Sequence, residues 1–358
     1  MNPNHLPSGY LLHQRYSIQR SLGQGGFGIT YLAYDSVLAQ EVCIKELFIY
    51  GSSTRGSNAT VHSQTNDSFS FTDFVDRFIQ EAQRLTRFRH PNILRVLDVF
   101  RDNQTAYMVM EFVPGETLKQ KIQREGPMNT RDALKLIDQL LDAVEEVHKQ
   151  GLLHRDIKPE NILLSPQGLV VLIDFGSARD FTEGATSTQT ERVTSTQTAM
   201  ISLGYSPPEQ YSNRDKRGTY TDIYSLGATI YYLLTGEKPI EANERHLRNL
   251  KPPHELTPGI DIEISNAVMK AMQLKPQNRF QKVKDLRDSL FMIHSSFVQR
   301  VNIIFSKIFM YLFPNKYIST IIVALFFLLL LFVWFKTPNS RKRKLINKVK
   351  RVITYTIQ

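Results

Sequence analysis

Residues 154–161 read His-Arg-Asp-Ile-Lys-Pro-Glu-Asn, and thirteen residues after that asparagine the chain reads Asp174-Phe175-Gly176. The first segment supplies an aspartate, a lysine two residues later and an asparagine five residues later. Transfer of a phosphoryl group requires a carboxylate that orients a hydroxyl, a cation on the moving phosphate and oxygen ligands for Mg²⁺. The spacing therefore predicts Asp156 as the base, Lys158 as the phosphate cation, and Asn161 and Asp174 as metal ligands.

A glycine-rich stretch and a lysine precede this segment. Residues 23–28 read Gly-Gln-Gly-Gly-Phe-Gly and stand between two runs that alternate in polarity like strands. A dinucleotide-binding loop of this pattern opens a helix instead, so the context favours a loop that covers phosphates between two strands. Lys45 lies in the next strand-like run, where its ammonium could meet phosphates. Glu81, in the following helix-like run, is predicted to hold that ammonium in place.

With these motifs in this order, the chain resembles the bacterial eukaryotic-like (Hanks-type) serine/threonine protein kinases over roughly residues 10–290. The sequences of residues 27–35 and 206–211 are most similar to those of a cyanobacterial subgroup. The resemblance implies an α+β, two-lobed protein kinase fold, with one main helix in a β-rich N-lobe and a mostly helical C-lobe. It implies transfer of the γ-phosphate of ATP, with Mg²⁺ or alternatively Mn²⁺, to Ser/Thr hydroxyls of protein substrates. It also implies autophosphorylation of the activation loop, in trans within a homodimer.

The resemblance extends to single residues around the nucleotide. Met110 takes the gatekeeper position, and Glu111 and Val113 would offer backbone groups to adenine. Thr30 and Cys43 replace the valine and alanine of the family pattern, which predicts a slightly larger and more polar pocket. Bound ATP is expected to shield Cys43, a reactive thiol, from alkylation. The predicted nucleotide site comprises Gly23, Gln24, Gly25, Gly26, Phe27, Gly28, Thr30, Cys43, Lys45, Met110, Glu111, Val113 and, as its floor, Leu163.

A second set of matched residues has structural roles by resemblance. Asp222 should bind the backbone of the catalytic loop, residues 154–161, and Glu209 should form a buried salt bridge with Arg279. Ser202 should reach toward the catalytic base. An apolar column between the lobes should contain His154, Phe175, Leu85 and Val96.

The segment between Asp174 and Glu209 is rich in hydroxyl side chains. The sequence Thr-Ser-Thr-Gln-Thr occurs at residues 186–190 and is repeated at residues 194–198. By resemblance, Thr198 is the main activating phosphosite. A phosphate there would form charge-assisted hydrogen bonds with three arginines, Arg77, Arg155 and Arg179.

Two other classes of protein share parts of this pattern. A pseudokinase that acts as a nucleotide-responsive scaffold usually lacks one of Lys45, Asp156 and Asp174, and all three are present. A small-molecule kinase on a related fold lacks the peptide platform that residues 207–209 and Arg279 indicate. Both alternatives are therefore disfavoured.

The formal net charge of +10 belongs to the C-terminal part of the chain. Residues 297–358 contain 11 Lys and Arg and no acidic residue, which leaves 33 basic and 34 acidic residues, a net charge of −1, in residues 1–296. A neutral body does not indicate nucleic-acid binding. One cysteine excludes an intrachain disulfide, and the first twelve residues do not resemble a secretory signal.

The predicted organisation continues beyond the catalytic region. It comprises an N-terminal extension (1–15), an N-lobe (16–113), a C-lobe (114–295), an amphipathic juxtamembrane segment (296–317), a transmembrane helix (318–335) and a basic tail (336–358). The 18 uncharged residues of the predicted helix would span about 27 Å, close to the ~30 Å of a bilayer core. We expect a single-pass protein of the cell membrane with a cytoplasmic kinase domain.

The basic tail conflicts with that topology, because cationic segments tend to stay in the cytoplasm. The alternative is a membrane hairpin in which residues 297–313 also enter the bilayer and the tail lies on anionic lipid.

Within the kinase-like region, apolar periodicity predicts a strand over 107–112 and four helices over 74–88, 133–148, 221–235 and 262–272. The polar residues 51–70 are predicted to form a flexible insertion.

Overall fold

The computed structural model of the chain describes residues 2–63, 71–175, 202–212 and 215–291, together with the backbone of residues 179–180. The elements of its first half are β1 (Leu11–Leu12), β2 (Tyr16–Gln24), β3 (Gly28–Asp35), β4 (Gln40–Leu47), β5 (Ser53–Arg55), β6 (Val61–Ser63), α1 (Phe71–Leu85), β7 (Val96–Asp102) and β8 (Thr105–Glu111). Six of these strands form one antiparallel sheet, in the order β1-β2-β3-β4-β8-β7.

The two faces of this sheet have different partners. Alternation along β4 places Ile44 and Glu46 on one face and Lys45 on the other. The face that carries Ile44 contributes to a buried core cluster. That cluster also contains Leu6 and Leu12 from the N-terminal segment and Ala59 and Val61 from the β5–β6 hairpin. The outer face of the sheet is therefore covered by chain, and the opposite face is left for the site.

This packing corrects two expectations. Residues 53–63 of the predicted flexible insertion form an ordered hairpin with a buried end, because Arg55 pairs with the buried carboxylate of Glu46 at 2.5 Å. Residues 64–70 lie outside the described residues. The segment expected as an N-terminal extension forms strand β1 and places Leu6 and Leu12 in the core of the sheet.

The second half of the described chain is mostly helical. Its elements are β9 (Glu116–Thr117), α2 (Leu118–Glu125), α3 (Thr130–Lys149), β10 (Leu152–Leu153), β11 (Ile162–Leu164), β12 (Val170–Leu172), β13 (Arg179–Asp180), α4 (Thr219–Thr235), α5 (Pro253–Leu256), α6 (Ile262–Ala271) and a final helix α7 over residues 283–291. Every residue of α4 from Thr221 to Thr235 is buried, so this helix forms the centre of the half.

The predicted helices and strand are all present. Their ends differ from prediction by up to three residues, because caps and polar first turns lie outside the apolar periodicity. Helix α3, for example, begins three residues before the predicted start, where the side chain of Asn129 accepts a hydrogen bond from the N–H of Asp132.

The chain passes from the β-rich half to the helical half at Gly115. This glycine has a φ of +155°, and a Cβ there would lie 2.3 Å from the carbonyl oxygen of Leu164. The close approach brings β9 alongside β11 in a three-stranded sheet of order β12-β11-β9. The strand that follows the crossing is thus bonded to the strand that follows the catalytic loop.

Within the described ranges, no helix is both long enough and apolar enough to cross a membrane. The predicted juxtamembrane segment (296–317), transmembrane helix (318–335) and basic tail (336–358) lie outside those ranges.

Substitution of Gly115 by alanine should lower the melting temperature more than the same substitution at Gly259. Both glycines have a positive φ, which costs an alanine about 1–3 kcal/mol. Only Gly115 also has a backbone atom in the space of the new Cβ; at Gly259 nothing lies within 4 Å. Thermal unfolding of both variants measures the difference, and equal losses would contradict the close approach.

Candidate active site

The catalytic loop is held by Asp222, a fully buried residue in the first turn of α4. One carboxylate oxygen accepts the backbone N–H of Arg155 at 2.8 Å, and the other accepts the N–H of His154 at 2.9 Å and Nε2 of His148 at 2.8 Å. Burial opposes ionisation of Asp222, but the hydrogen bond from His148 and the bond from the N–H of Arg155 outweigh the effect of burial, so the pKa of Asp222 lies below its ordinary value. The predicted anchoring of the loop by Asp222 is present in this geometry.

Two non-glycine residues beside the predicted catalytic groups have left-handed backbones. Arg155, next to the predicted base, has a φ of +66°, and Asp174 has a φ of +60°. Such conformations cost about 1–3 kcal/mol each and persist only where surrounding bonds impose them. At Arg155 the bond is the one from its N–H to Asp222, and a second bond joins its carbonyl to the side-chain amide of Gln210 at 2.7 Å.

Asp156 lies at the centre of a set of hydrogen-bond donors. Its Oδ1 accepts the hydroxyl of Ser202 at 2.5 Å, and its Oδ2 accepts Nζ of Lys158 and Nδ2 of Asn161, both at 2.8 Å. Lys158 Nζ also lies 2.8 Å from the Ser202 hydroxyl. The arrangement places one hydroxyl against both a carboxylate and a cation, and it brings together three of the predicted catalytic residues.

The predicted metal ligands fit a hard cation that also binds substrate oxygens. Asn161 Nδ2 donates to both the carbonyl and the side chain of Asp156, which leaves its amide oxygen as the group that can ligate. Asp174 adds a partly exposed carboxylate. Among the described residues, no cluster of three or more His, Cys, Asp or Glu side chains could hold a metal alone. Mg²⁺ usually binds one or two protein oxygens together with phosphates and water, so the amide oxygen of Asn161 and the carboxylate of Asp174 are groups of the kind that it takes.

Lys45 forms an ion pair that was not predicted. Its Nζ lies 2.5 Å from Oδ1 of Asp174. Glu81, the predicted partner, lines a small cavity together with Lys45 and Asp174, and its charge also favours the charged form of Lys45. Burial opposes the charge of Lys45, but the nearby carboxylates, Asp174 first, outweigh it, so the pKa of Lys45 lies above its ordinary value.

An apolar contact links the two aspartate segments. The ring of His154 lies 4.5 Å from that of Phe175, and Phe175 also stacks on Phe88 at 5.8 Å. Phe175 lines the small cavity together with Leu85 and Val96, as the predicted column requires. Burial lowers the pKa of His154, so its ring is neutral in this column. Phe88, which the sequence placed at the end of the predicted helix 74–88 and not in the column, is an addition to it.

The predicted adenine residues lie on β3, β4, β8 and β11. Cys43 is directly opposite Met110 in the β4–β8 pair, and Met110 lines the cavity next to Lys45. Thr30 is opposite Lys45 in the β3–β4 pair, and Leu163 is in the β11 strand. The N–H of Glu111 already donates to the carbonyl of Arg95 at 3.0 Å, so the carbonyl of Glu111 is the group left to face adenine.

The glycine-rich loop connects β2 to β3. The N–H of Gly25 donates to the carbonyl of Gly28 at 2.9 Å. A Cβ at Gly28 would lie 2.7 Å from the carbonyl oxygen of Glu46, so only glycine fits against β4 there. Two further hydrogen bonds, from the N–H groups of Phe48 and Tyr50 to the loop, were not predicted, since no side-chain pattern reports a backbone contact.

The family can be stated from comparison with known proteins. Residues 16–300 match the family model described as protein kinase domain.

The chain belongs to the protein kinase family.

Its curated relatives include serine/threonine-protein kinase PknB of Mycobacterium leprae, 32% identical over 296 residues, which covers 79% of this chain and 44% of PknB. PrkC of Bacillus subtilis is 32% identical over 286 residues, covering 78% of this chain and 40% of PrkC. A solved structure, the apo form of PpkA-294, has 34% identity and a TM-score of 0.68, and the match covers 80% of this chain and 99% of that one.

The prediction of a bacterial eukaryotic-like serine/threonine kinase is thereby confirmed at the level of the family. The cyanobacterial subgroup stays a prediction. The chain spans about two fifths of the length of the curated kinases that it matches.

A buried salt bridge in the helical half joins Glu209 to Arg279. Arg279 donates to both oxygens of Glu209, at 2.7 and 3.0 Å. Its other bonds go to the backbone carbonyls of Gln273, Leu274 and Tyr220. All five N–H donors of the guanidinium are therefore used, as a buried arginine requires. The pair of Glu209 with Arg279 is the one expected from the sequence, and the three carbonyl partners were not predicted.

Predicted residues of the activation loop fall largely outside the described ranges. These are Thr198 and the two hydroxyl-rich repeats, and for Arg179 only the backbone is described. The convergence of Arg77, Arg155 and Arg179 on a phosphate stays a prediction.

Cys43 should react slowly with alkylating reagents, which corrects the expectation of a reactive thiol. Burial raises the pKa of this thiol to about 12. The thiolate is the reacting form, so the labelling rate with iodoacetamide should rise about tenfold per pH unit between about pH 7 and 10. Mg-ATP should slow labelling throughout. Intact-mass spectrometry measures the rate, and Cys43→Ser is the blank; a plateau near the pKa of a free thiol would contradict this account.

Proposed function

We propose that this protein is a serine/threonine protein kinase that transfers the γ-phosphate of ATP to hydroxyls of protein substrates. The observation that carries the proposal is the hydroxyl of Ser202, which lies 2.5 Å from Asp156 and 2.8 Å from Lys158. A carboxylate and an ammonium that together hold one hydroxyl can orient a substrate hydroxyl in the same way. The lysine two residues after the base favours serine and threonine over tyrosine as acceptors.

Each group has one chemical task in this proposal. Asp156 orients the hydroxyl and accepts its proton, while Lys158 stabilises negative charge on the moving phosphate. Asn161 and Asp174 would hold Mg²⁺, or alternatively Mn²⁺, which supplies positive charge to the phosphates when bound. Lys45 adds a further cation from the cleft face of the sheet, opposite Thr30 on β3.

The presence of Lys45, Asp156 and Asp174 supports an enzyme over a scaffold. The Glu209–Arg279 salt bridge supports a protein substrate over a small molecule, because it braces the segment that begins the peptide platform. We also propose autophosphorylation at Thr198 in trans, within a homodimer. Its support is the hydroxyl-rich sequence of the loop, and phosphosite mapping of the purified protein tests it.

Substitution of Asp156 by asparagine should strongly slow phosphoryl transfer while ATP binding remains. Loss of a general base typically lowers turnover about 10²- to 10⁴-fold, and the anchor of the loop at Asp222 is not touched. The measurement is transfer of labelled phosphate from Mg-ATP to a generic protein substrate, with phosphosites mapped by mass spectrometry.

Glu145→Gln is the matched control for this change, since Glu145 is a helix-surface carboxylate with only a 4.0 Å contact to Lys149. It should retain wild-type turnover. An Asp156→Asn enzyme that turns over as fast as this control would refute the assignment.

We further propose that the chain is anchored in the cell membrane by residues 318–335, with the kinase domain in the cytoplasm. The support is the run of 18 uncharged residues followed by a basic tail. We favour a single span, because Arg300 and Lys307 make the preceding segment a poor bilayer helix. In the alternative hairpin, the tail would bind anionic lipid with about 1 kcal/mol per basic residue.

A cysteine at Ser340 distinguishes the two topologies when Cys43 is replaced by serine. An impermeant thiol reagent should label Ser340→Cys in intact spheroplasts if the chain crosses once. Labelling only after lysis would support the hairpin. A variant with the cysteine at Ser36, in the turn between β3 and β4 of the kinase domain, should stay unlabelled until lysis and controls for leakage.

A further inference from the structure

A fully buried carboxylate, Glu46, lies on the outer face of β4, one residue after Lys45. It accepts three hydrogen bonds, from the hydroxyl of Tyr107 at 2.6 Å, the hydroxyl of Tyr31 at 2.8 Å and the guanidinium of Arg55 at 2.5 Å. Burial and the charge of Glu46 raise the pKa of both tyrosines, so each stays protonated and donates. The carboxylate is therefore fully partnered away from the catalytic cleft.

Arg55 joins three parts of the β-rich lobe. Besides Glu46, its side chain donates to the carbonyl of Asn4 at 2.8 Å and to the carbonyl of Ala59 at 2.9 Å. The ion pair thus fastens the N-terminal segment and the β5–β6 hairpin to the sheet. Buried ion pairs are often no more stabilising than apolar residues of the same volume. Stability alone therefore does not explain why this buried pair is present.

The N-terminal segment contacts the end of β2 where the glycine-rich loop begins, and the hairpin reaches the loop through the chain that connects it to β4. In the N-terminal segment, Nε2 of His5 lies 3.0 Å from Oε1 of Gln24, and the side-chain amide of Asn2 donates to the same oxygen at 3.3 Å. Gln24 is the last residue of β2, where the loop begins.

The chain between β4 and the hairpin contacts the other part of the loop. The N–H of Phe48 donates to the carbonyl of Phe27 at 3.2 Å, and the N–H of Tyr50 donates to the carbonyl of Gly26 at 2.9 Å. This connecting chain is bonded in turn to Ser53, the first residue of the hairpin. A continuous set of hydrogen bonds therefore runs from the hairpin to the loop.

Within its own hairpin the loop is held by the pairing of β2 with β3 and by the Gly25–Gly28 hydrogen bond. A Cβ built at Gly23, Gly25 or Gly26 would have no atom within 4 Å, so packing does not restrain these residues. Glycine also loses more conformational freedom on ordering than any other residue. Hydrogen bonds from the neighbouring segments are thus the further restraint on this part of the loop.

We propose that Arg55 and Glu46 are positioning residues that keep the glycine-rich loop in its nucleotide-binding conformation, through the hairpin and the N-terminal segment that they fasten. The proposal rests on the proposed function, because it takes this loop to cover the phosphates of ATP. It adds a determinant of ATP affinity on the face of the sheet opposite Lys45.

Substitution of Arg55 by methionine should weaken ATP binding without changing the KM for the protein substrate. If the loop then keeps its binding conformation about a tenth of the time, the apparent Kd for Mg-ATP rises about tenfold. The matched control is Arg15→Met, which removes a bidentate pair with the buried Asp35 at the far end of the same sheet. That variant should lower the melting temperature but leave the Kd for Mg-ATP unchanged.

A second variant tests the connection without disturbing the buried pair. Tyr50 is exposed and occupies the second position of a type II turn, in which the N–H of Ser52 donates to the carbonyl of Ile49 and Gly51 has a φ of +81°. Proline is favoured at that position. Tyr50→Pro should therefore keep the turn and remove only the N–H that donates to Gly26.

The Kd for Mg-ATP of the full-length Tyr50→Pro protein should rise about two- to tenfold, the range expected for one hydrogen bond. Tyr50→Ala, which keeps the N–H, is its control. Calorimetry gives Kd, and steady-state assays give KM for ATP, KM for the protein substrate and kcat. If Arg55→Met does not fold, the Tyr50 pair decides the question.

Equal Kd values for Mg-ATP in Tyr50→Pro and Tyr50→Ala, or in Arg55→Met and Arg15→Met, would overturn the inference. Failure of the proposed function gives a different result, since the wild-type protein would then bind Mg-ATP and transfer nothing to protein. The comparison of Kd values would still be valid in that case.

Discussion

The buried carboxylate of Asp222 is the constraint on which the catalytic loop depends. Its oxygens accept two consecutive backbone N–H groups, those of His154 and Arg155, and so impose the left-handed turn that precedes Asp156. A carboxylate in this position can be tolerated only because His148 and the backbone donors compensate for its burial. Since α4 is buried along most of its length, the loop inherits the rigidity of the helical core.

A second buried carboxylate organises the other half in a different way. Glu46 is satisfied by side chains from three elements, and the chain that surrounds it covers the outer face of the sheet. Lys45 is adjacent in sequence but faces the cleft, where it pairs with Asp174. One strand therefore carries opposite charges on opposite faces, and each charge binds a different segment to the sheet.

The catalytic residues were predictable because phosphoryl transfer restricts both residue types and spacing. The Glu209–Arg279 and Asp222 contacts followed from resemblance, and the structure brings each of those residues to its expected partner. The hairpin was missed because its polar composition is that of a flexible loop. Its order depends on Arg55 reaching a buried carboxylate, which no local pattern reveals. The ion pair of Lys45 with Asp174 was not predicted either, because Glu81 and Asp174 both act on the charge of Lys45 and sequence spacing does not rank them.

The pairing of β9 with β11 decides which part of the chain can act as a pivot. Because Gly115 brings the chain against Leu164, residues from 116 onward belong mechanically to the helical half. Rotation of the β-rich half would then take place about residues 112–114, next to the backbone that faces adenine. A base bound there lies on the rotation axis and stays almost still, while the glycine-rich loop, far from the axis, sweeps through the largest arc. Opening and closing of the cleft would therefore change the contacts of the protein with the phosphates far more than its contacts with the base.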